Sequence, residues 1–482
     1  MSSGHPLNDV FHPRSIAVVG VSANELRESL MGWLPRLLGF GYQGRIYPVN
    51  PRASEIMGMK AYPSVRDIPG PVDYVIFNIP AQLTPQIMAD CAAKGVKAVH
   101  VFTAGFSETG KEEGRRLEQE LSSIAREGGV RVIGPNCMGI YYPKEGLTFY
   151  PTFCKEVGSV AFVSQTGAGA IRFVNLANDR GIRFSKVVSY GNACDLDATD
   201  FLNYLADDEE TEVITCYIEG VRDGRAFFEA VRDCMKQKPV VILKAGVTEG
   251  GAAAAASHTA ALAGNESVWR AFFKQTGAIS VESLEEIVDV VQALLHFPCP
   301  RGPRVGIVGR GGGIGVLATD SCEKAGLAVP SLTEETRSQL EKVNPEAGAS
   351  VRNPVETALG LAGASQFYQE GLKIVDADPQ IDFILTHIGL DVYGGFGPSL
   401  AEQLEQTMDI LIETVKTMTK PVVVVLYPGA RLDVISAVAQ AQRRCLEARL
   451  AVYYTIEAAA KAVSKIIRYN KFIEETRSEP VR

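Results

Sequence analysis

The chain has 482 residues, 46% of them hydrophobic and 22% charged, which is too long for one ordinary core and has the balance of a soluble protein of two to four domains. Its formal net charge is −8, from 48 Lys and Arg against 56 Asp and Glu; with no concentrated basic patch this argues against a nucleic-acid partner, while small phosphate-bearing ligands can still be held by backbone N–H groups. The nine cysteines form no CxxC pair and no apolar run approaches the ~20 residues of a membrane span, so a zinc or redox motif and a transmembrane helix are both disfavoured, and the start of the chain carries no signal-peptide pattern, which leads to an expectation of free thiols in the cytoplasm.

Short β-branched apolar runs alternate with amphipathic stretches of helical length along almost the whole chain. This is the pattern of parallel sheets covered by helices on both faces, an α/β fold of doubly wound units. The first unit, 1–147, is expected to hold strands at Ser15–Gly20, Arg45–Val49, Asp73–Ile79, Lys97–Phe102 and Arg131–Ile133, with a helix over Glu108–Glu127. The second, 148–299, opens with a strand at Gly158–Val163 and continues with Lys186–Ser189, Val213–Ile218, Pro239–Lys244 and a helix over Leu284–Leu295. A break follows at HFPCPRGP, because proline cannot continue a helix and restricts its predecessor. The third unit, 300–482, is expected to have strands at Arg304–Val308, Ile381–His387 and Pro421–Tyr427, a last helix over Glu457–Tyr469 and a frayed, charged terminus. The openings FVSQTGAGAI and IVGRGGGIGVLA share one strand–turn–helix plan, which suggests an internal duplication.

Ligands of open α/β sheets bind beyond the carboxyl ends of the strands, so those ends are the first candidates. The turn Gly20, Val21, Ser22, Ala23, Asn24 follows strand one, but the G-x-G-x-x-G spacing is absent and no acid follows strand two. Strand two runs instead into Val49, Asn50, Pro51 and Arg52, where a basic residue suits a phosphate better than a ribose diol; a plain strand–helix turn is the alternative. Ile79, Pro80 and Ala81, then Thr103, Ala104 and Gly105, then Pro135, Asn136 and Cys137 end the other strands of the unit and would extend a shallow trough. Cys137 has no base near it in sequence, which favours packing over a nucleophilic role.

Ser164, Gln165, Thr166 and Gly167 lie between a buried strand and a helix, where unsatisfied N–H groups attract an anion; a simple helix cap is the other reading. Gly311, Gly312, Gly313 and Gly315 occupy the equivalent turn of the third unit, and so many glycines point to a demanded geometry, with a plain tight turn as the other reading. His258, in SHTAALAG after a Gly- and Ala-rich approach, is either a structural histidine or a nucleophile, since a neutral imidazole is competent near neutral pH. Glu219 ends an apolar strand, where a carboxylate needs a partner. It could fix the tautomer of an imidazole or pair with Arg222 or Arg225.

Taken together, RSIAVVG, YPVNP, GPNCMG, FVSQTG, YIEGVRDGR, ASHTAALAG and GGGIG resemble the α subunit of ADP-forming acetate/acyl-CoA synthetases, relatives of succinyl-CoA synthetase, over nearly the whole chain. The resemblance implies a Rossmann-like CoA-binding domain followed by two flavodoxin-like ligase domains. It further implies that His258 is phosphorylated and hydrogen-bonded by Glu219, that Ser164–Gly167 and Gly311–Gly315 hold the phosphoryl group, and that coenzyme A, a substrate, lies along the strand ends of the first unit. ADP or ATP with Mg2+ would belong to a separate ATP-grasp β subunit in an α2β2 assembly, with no metal held by this chain. Three positions depart from the family pattern: Thr166 stands for the usual Ser, Ala260 for the glycine after SHT, and Glu356 for the Asp of N-P-V-D. A CoA or acyl-CoA sensor of the same fold and a nicotinamide-dependent oxidoreductase are the competing readings. The retention of both His258 and Glu219 argues against the first, the incomplete glycine pattern against the second.

Overall fold

In the computed structural model, residues 5–22, 24, 32–253, 265–345, 348–357, 361–389, 400–427 and 432–478 are described. The chain forms two compact units, Met1–Ile287 and Val288–Arg482.

The first unit contains two sheets. In one, five parallel strands run in the order Arg45–Val49, Ser15–Val19, Tyr74–Phe77, Ala98–Val101 and Arg131–Ile133. Tyr74–Phe77 and Ala98–Val101 are buried at every position, as expected where helices cover both faces. The second sheet has the order Ile279–Val281, Val240–Lys244, Val213–Ile218, Val157–Ser164 and Phe184–Ser189, with Gly139–Tyr141 added antiparallel at its edge. That edge strand comes from the chain just after the first sheet, so the chain enters the second sheet before residue 147. The unit Val288–Arg482 has one sheet, in the order Val355–Thr357, Val305–Arg310, Phe383–Ile388, Val422–Leu426 and Ala451–Tyr453. Its core joins Val308, Val355, Ile384 and Val424 to Phe367, Leu372, Met408 and Val438 on the covering helices.

Counting parallel strands in chain order, all three sheets share the 2-1-3-4-5 succession, with its reversal between the first and third strands. In open sheets of this order ligands bind at that reversal. The first unit's first sheet thus has the same strand order as the two sheets whose openings FVSQTGAGAI and IVGRGGGIGVLA share one plan.

Some elements differ from the sequence expectation. The helix expected from Glu108 begins at Glu112, behind a 3-10 turn at Ser107–Thr109, because Glu108 turns back to accept from the Gly105 amide at 2.6 Å. The charged terminus continues as helix to Ser478 instead of fraying after Tyr469. Its Lys461–Glu457 and Lys471–Glu475 pairs lie at i,i+4 spacing, which supports a helix on its solvent face. Among the described residues no helix is long and apolar enough to cross a membrane.

Candidate functional site

The parallel register of the first sheet sets Val19 beside both Val49 and Phe77, so the turns after the three strands stand side by side. Gly20 has φ +91°, and a Cβ there would lie 2.1 Å from the Asn78 carbonyl oxygen; only glycine fits this close approach. The Asn50 side chain ties two turns together, donating to Val21 O at 2.8 Å and accepting from Arg52 N at 2.7 Å and Ala53 N at 3.2 Å. Ser22 Oγ accepts from Asn24 N at 3.1 Å; Ala23 lies outside the described residues. Further along the edge, the Thr103 hydroxyl donates to Ile79 O at 2.6 Å, and Thr103 O accepts from Asn136 N at 2.9 Å. Gly20, Asn50, Arg52, Ile79–Ala81, Thr103–Gly105 and Pro135–Asn136 thus form one hydrogen-bonded rim at the carboxyl edge of the sheet. Cys137 points the other way. It is buried, its sulfur lies 3.5 Å and 3.6 Å from the Ile133 and Val101 carbonyl oxygens, and burial pushes its thiol far above the ordinary range.

At the second sheet, Ser164 is fully buried and its hydroxyl closes on the main chain of Thr166. Thr166 caps the helix Gly167–Asp179 by accepting from Gly169 N at 3.3 Å. The first intrahelical bond is made by Ala170 N to Thr166 O, so the amides of Gly167 and Ala168 precede it and have no partner within the helix. A Cβ at Gly167 would lie 2.8 Å from Met138 Cγ, which keeps that position bare.

Gln165 is 5% exposed and its side-chain oxygen accepts from two amides of the neighbouring strand end, Glu219 N at 2.5 Å and Gly220 N at 2.9 Å. Glu219 is 4% exposed. The Tyr217 phenol hydrogen-bonds its carboxylate, and burial together with that negative charge pushes the phenol up to about 12. From below, Lys244 donates to Glu219 O at 2.8 Å and to the Ala245 carbonyl, and its ammonium lies 5.4 Å from the Trp269 ring centroid. Burial lowers the Lys244 pKa. The two arginines that could have paired with Glu219 are turned to other groups: Arg222 donates to Ala193 O and Asp195 O, and Arg225 to Glu229. His258 lies outside the described residues, which end at Ala253 and resume at Asn265.

A cleft of about 720 Å³ opens beside Gln165 and Gly220, lined also by Ser107, Glu118, Asn192 and Arg222. Sequence reasoning had singled out Arg222 only as a possible partner for Glu219 and had passed over Asn192 and Lys244. The signal for Asn192 is a Gly-Asn pair one residue beyond the end of a strand, a place where left-handed backbone is common.

In the unit Val288–Arg482, Gly311 has φ +96° and the helix Gly312–Lys324 begins behind it. The Gly315 amide is already engaged, with Gly311 O at 3.2 Å and with the Glu356 carboxylate at 3.1 Å. A Cβ at Gly315 would lie 2.1 Å from that carboxylate oxygen. The amides left before the first intrahelical bond are those of Gly312 and Gly313. Burial raises the Glu356 pKa, and the Gly315 hydrogen bond opposes the rise.

Residues 14–143 match a CoA binding domain and residues 157–294 a succinyl-CoA ligase like flavodoxin domain. The chain is 40% identical over 401 residues to the α subunit of acetate–CoA ligase (ADP-forming) II of Pyrococcus furiosus, covering 82% of this chain and 84% of that one. It is 32% identical over 475 residues to 4-hydroxybutyrate–CoA ligase (ADP-forming) of Nitrosopumilus maritimus, covering 97% of this chain and 65% of that one. Among solved structures it resembles the dinucleotide-forming acetyl-coenzyme A synthetase 1 of Ca. Korarchaeum cryptofilum in complex with phosphate and ADP, at 33% identity, 99% coverage of both chains and a TM-score of 0.82.

Proposed function

The chain belongs to the family of ADP-forming acetate/acyl-CoA ligases, and from that premise we propose that it is the CoA-binding, phosphoryl-accepting α subunit of an acyl-CoA synthetase. The reaction is acyl-CoA + ADP + Pi ⇌ carboxylate + CoA + ATP. In the direction of thioester synthesis, an imidazole nitrogen of His258 takes the γ-phosphoryl group of ATP, releasing ADP. A carboxylate oxygen of the acid then attacks that phosphorus, the P–N bond breaks and an acyl phosphate forms. The CoA sulfur attacks the acyl carbon, the C–O bond to phosphate breaks, and phosphate leaves with the thiol proton. Covalent transfer divides one hard exchange into easier steps.

The site supports the following roles for its residues. Coenzyme A takes the rim Gly20, Asn50, Arg52, Ile79–Ala81, Thr103–Gly105 and Pro135–Asn136, with Ser22, Ala23, Asn24 and Val49 assigned to the same ligand, Arg52 as the charged contact and Cys137 contributing through its backbone and packing. The free amides at Gly167 and Ala168, behind Ser164–Thr166, hold a phosphoryl group, and those of Gly312 and Gly313, behind Gly311, form a second anion seat. Amides at a helix start are oriented donors with a positive field and need no reorganisation when charge develops. Glu219 accepts the second ring N–H of His258 and keeps the attacking nitrogen unprotonated, as a carboxylate does for a catalytic histidine. The observation that carries this reading is the buried Glu219 carboxylate, set by Gln165 next to a helix start whose Gly167 and Ala168 amides have no partner within the helix.

The chain divides into three domains, 1–147, 148–299 and 300–482, with the strand Gly139–Tyr141 from the end of the first completing the sheet of the second. ADP or ATP with Mg2+ is held by an ATP-grasp β subunit, most simply in an α2β2 assembly; the naming of the Pyrococcus relative as an α subunit supports a separate partner. All nine cysteines are free, which suits a cytoplasmic enzyme. The test is turnover of the chain co-expressed with its β partner against a panel of carboxylic acids. ATP- and CoA-dependent thioester formation with at least one acid supports the proposal; binding of CoA without turnover of any acid makes the chain a sensor instead.

A further inference from the structure

Three consecutive residues join the rim of the first sheet to the Ser164–Glu219 site. Tyr190 N donates to Ser164 O at 2.9 Å. Gly191 has φ +56°, and a Cβ there would lie 2.3 Å from Pro135 O and 2.4 Å from Asn136 O, so the two backbones touch with no side chain between them. Asn192 N donates to Pro135 O at 3.0 Å. The Asn192 side chain then reaches across to the other side of the rim. Its Nδ2 lies 2.6 Å from Glu108 Oε2, 2.9 Å from Glu118 Oε2 and 3.3 Å from Ser107 Oγ, while its Oδ1 faces Asn136 Nδ2 at 3.4 Å. Two carboxylates on one end fix the orientation of the amide, since only its NH2 end can donate to both. Glu108 in turn holds the Gly105 and Phe106 amides at 2.6 Å and 3.1 Å.

We infer that Asn192 is a positioning residue, which sets the CoA rim in register with the phosphoryl site and so governs the CoA-dependent half of the reaction. The inference rests on the proposed function. A group that aligns two reactants acts on the step in which both take part and leaves the others alone. Phosphorylation of the chain from ATP uses the anion seats and the partner but not the CoA rim; consumption of the phosphoryl group by acid and CoA uses the rim as well. Replacing the amide by a carboxylate, N192D, sets a third anion against Glu108 and Glu118 and breaks the tie. Removing one of those charges, E118Q, supplies a new donor for the introduced carboxylate.

The experiment uses the complex of this chain with its β partner and follows the two half-reactions separately. For N192D we expect the rate of phosphorylation from labelled ATP to stay within about twofold of wild type, while acyl-CoA formation at saturating CoA falls at least about tenfold. The double variant N192D/E118Q is expected to recover at least about fivefold of that loss, a coupling seen only between groups in contact. Asn192→Ser removes the amide without adding charge. It is expected to show the same selective loss, smaller and not restored by E118Q, and it carries the test if N192D does not fold. Equal slowing of both half-reactions, unchanged rates in both, or no recovery in the double variant overturns the inference. A wild-type chain that takes no label overturns the functional reading, and this inference with it.

Discussion

Gln165 holds Glu219 in place: one side-chain oxygen accepts from the Glu219 amide at 2.5 Å and from Gly220 at 2.9 Å, all within the buried carboxyl edge of the second sheet. A leucine at 165 would leave two buried donors unsatisfied, at a cost of about 1–3 kcal/mol each. Gln165→Leu is therefore expected to lower the denaturant midpoint and slow phosphoryl transfer. Gln165→Glu keeps the acceptor but adds a charge beside Glu219, so it should fold more stably than the leucine variant and still slow transfer. Denaturation monitored by circular dichroism, together with the phosphorylation rate, separates the two effects.

The first-sheet rim gives a second pair of variants. Gly20→Ala drives a Cβ to 2.1 Å from the Asn78 carbonyl at a left-handed φ, and should abolish CoA binding by displacing the turn. Arg52→Ala leaves the rim intact, because Asn50 holds the Arg52 backbone amide whatever the side chain. Loss of one charge-assisted phosphate contact should weaken CoA about tenfold. Titration calorimetry with CoA checks both, and unchanged affinity in Arg52→Ala would move the pyrophosphate elsewhere.

Glu356 places a carboxylate on the helix start proposed to hold an anion. Glu356→Gln keeps an acceptor for Gly315 and removes the charge. The expected result is a several-fold lower KM for phosphate in the direction of ATP synthesis, in line with about 1 kcal/mol of repulsion between like charges. An unchanged phosphate KM would show that the Gly311–Gly315 turn does not face phosphate.

His100 supplies a prediction on stability. It is wholly buried in the first sheet, with Nε2 at 3.2 Å from Cys137 O and Nδ1 without a partner among the described residues. Burial, the largest cause, lowers its pKa from 6.5 to about 4. Above pH 6.5 both folded and unfolded chains are neutral at this site and it contributes nothing. As pH falls below 6.5 the unfolded chain takes up a proton that the folded chain refuses, so stability is lost down to about pH 4, amounting to about 3 kcal/mol in all. Thermal unfolding between pH 7 and pH 4 should show a shallower decline in His100→Gln than in wild type.

Much of this was legible in the sequence because parallel strands buried on both faces are written as unbroken apolar runs, as in Tyr74–Phe77 and Val422–Leu426. Val355–Thr357 and Ala451–Tyr453 escaped because each is three residues long, too short to show a period. The Ser164–Gly167 turn was visible from its residue types, whereas its link to Glu219 depends on a contact across 54 positions of sequence. Asn192 was invisible for the same reason: its partners Glu108 and Glu118 precede it by 84 and 74 residues. Glu356 stood out as a departure from the family pattern, but its seat on the Gly315 amide depends on pairing with a strand nearly fifty residues earlier.

The central claim is that one histidine carries the phosphoryl group. Incubating the complex with γ-labelled ATP and resolving its subunits tests it most directly. The account predicts acid-labile, base-stable label on this chain, lost in His258→Ala and discharged by carboxylic acid plus CoA in wild type. Label that persists on the His258→Ala chain, or full turnover by that variant, would contradict it.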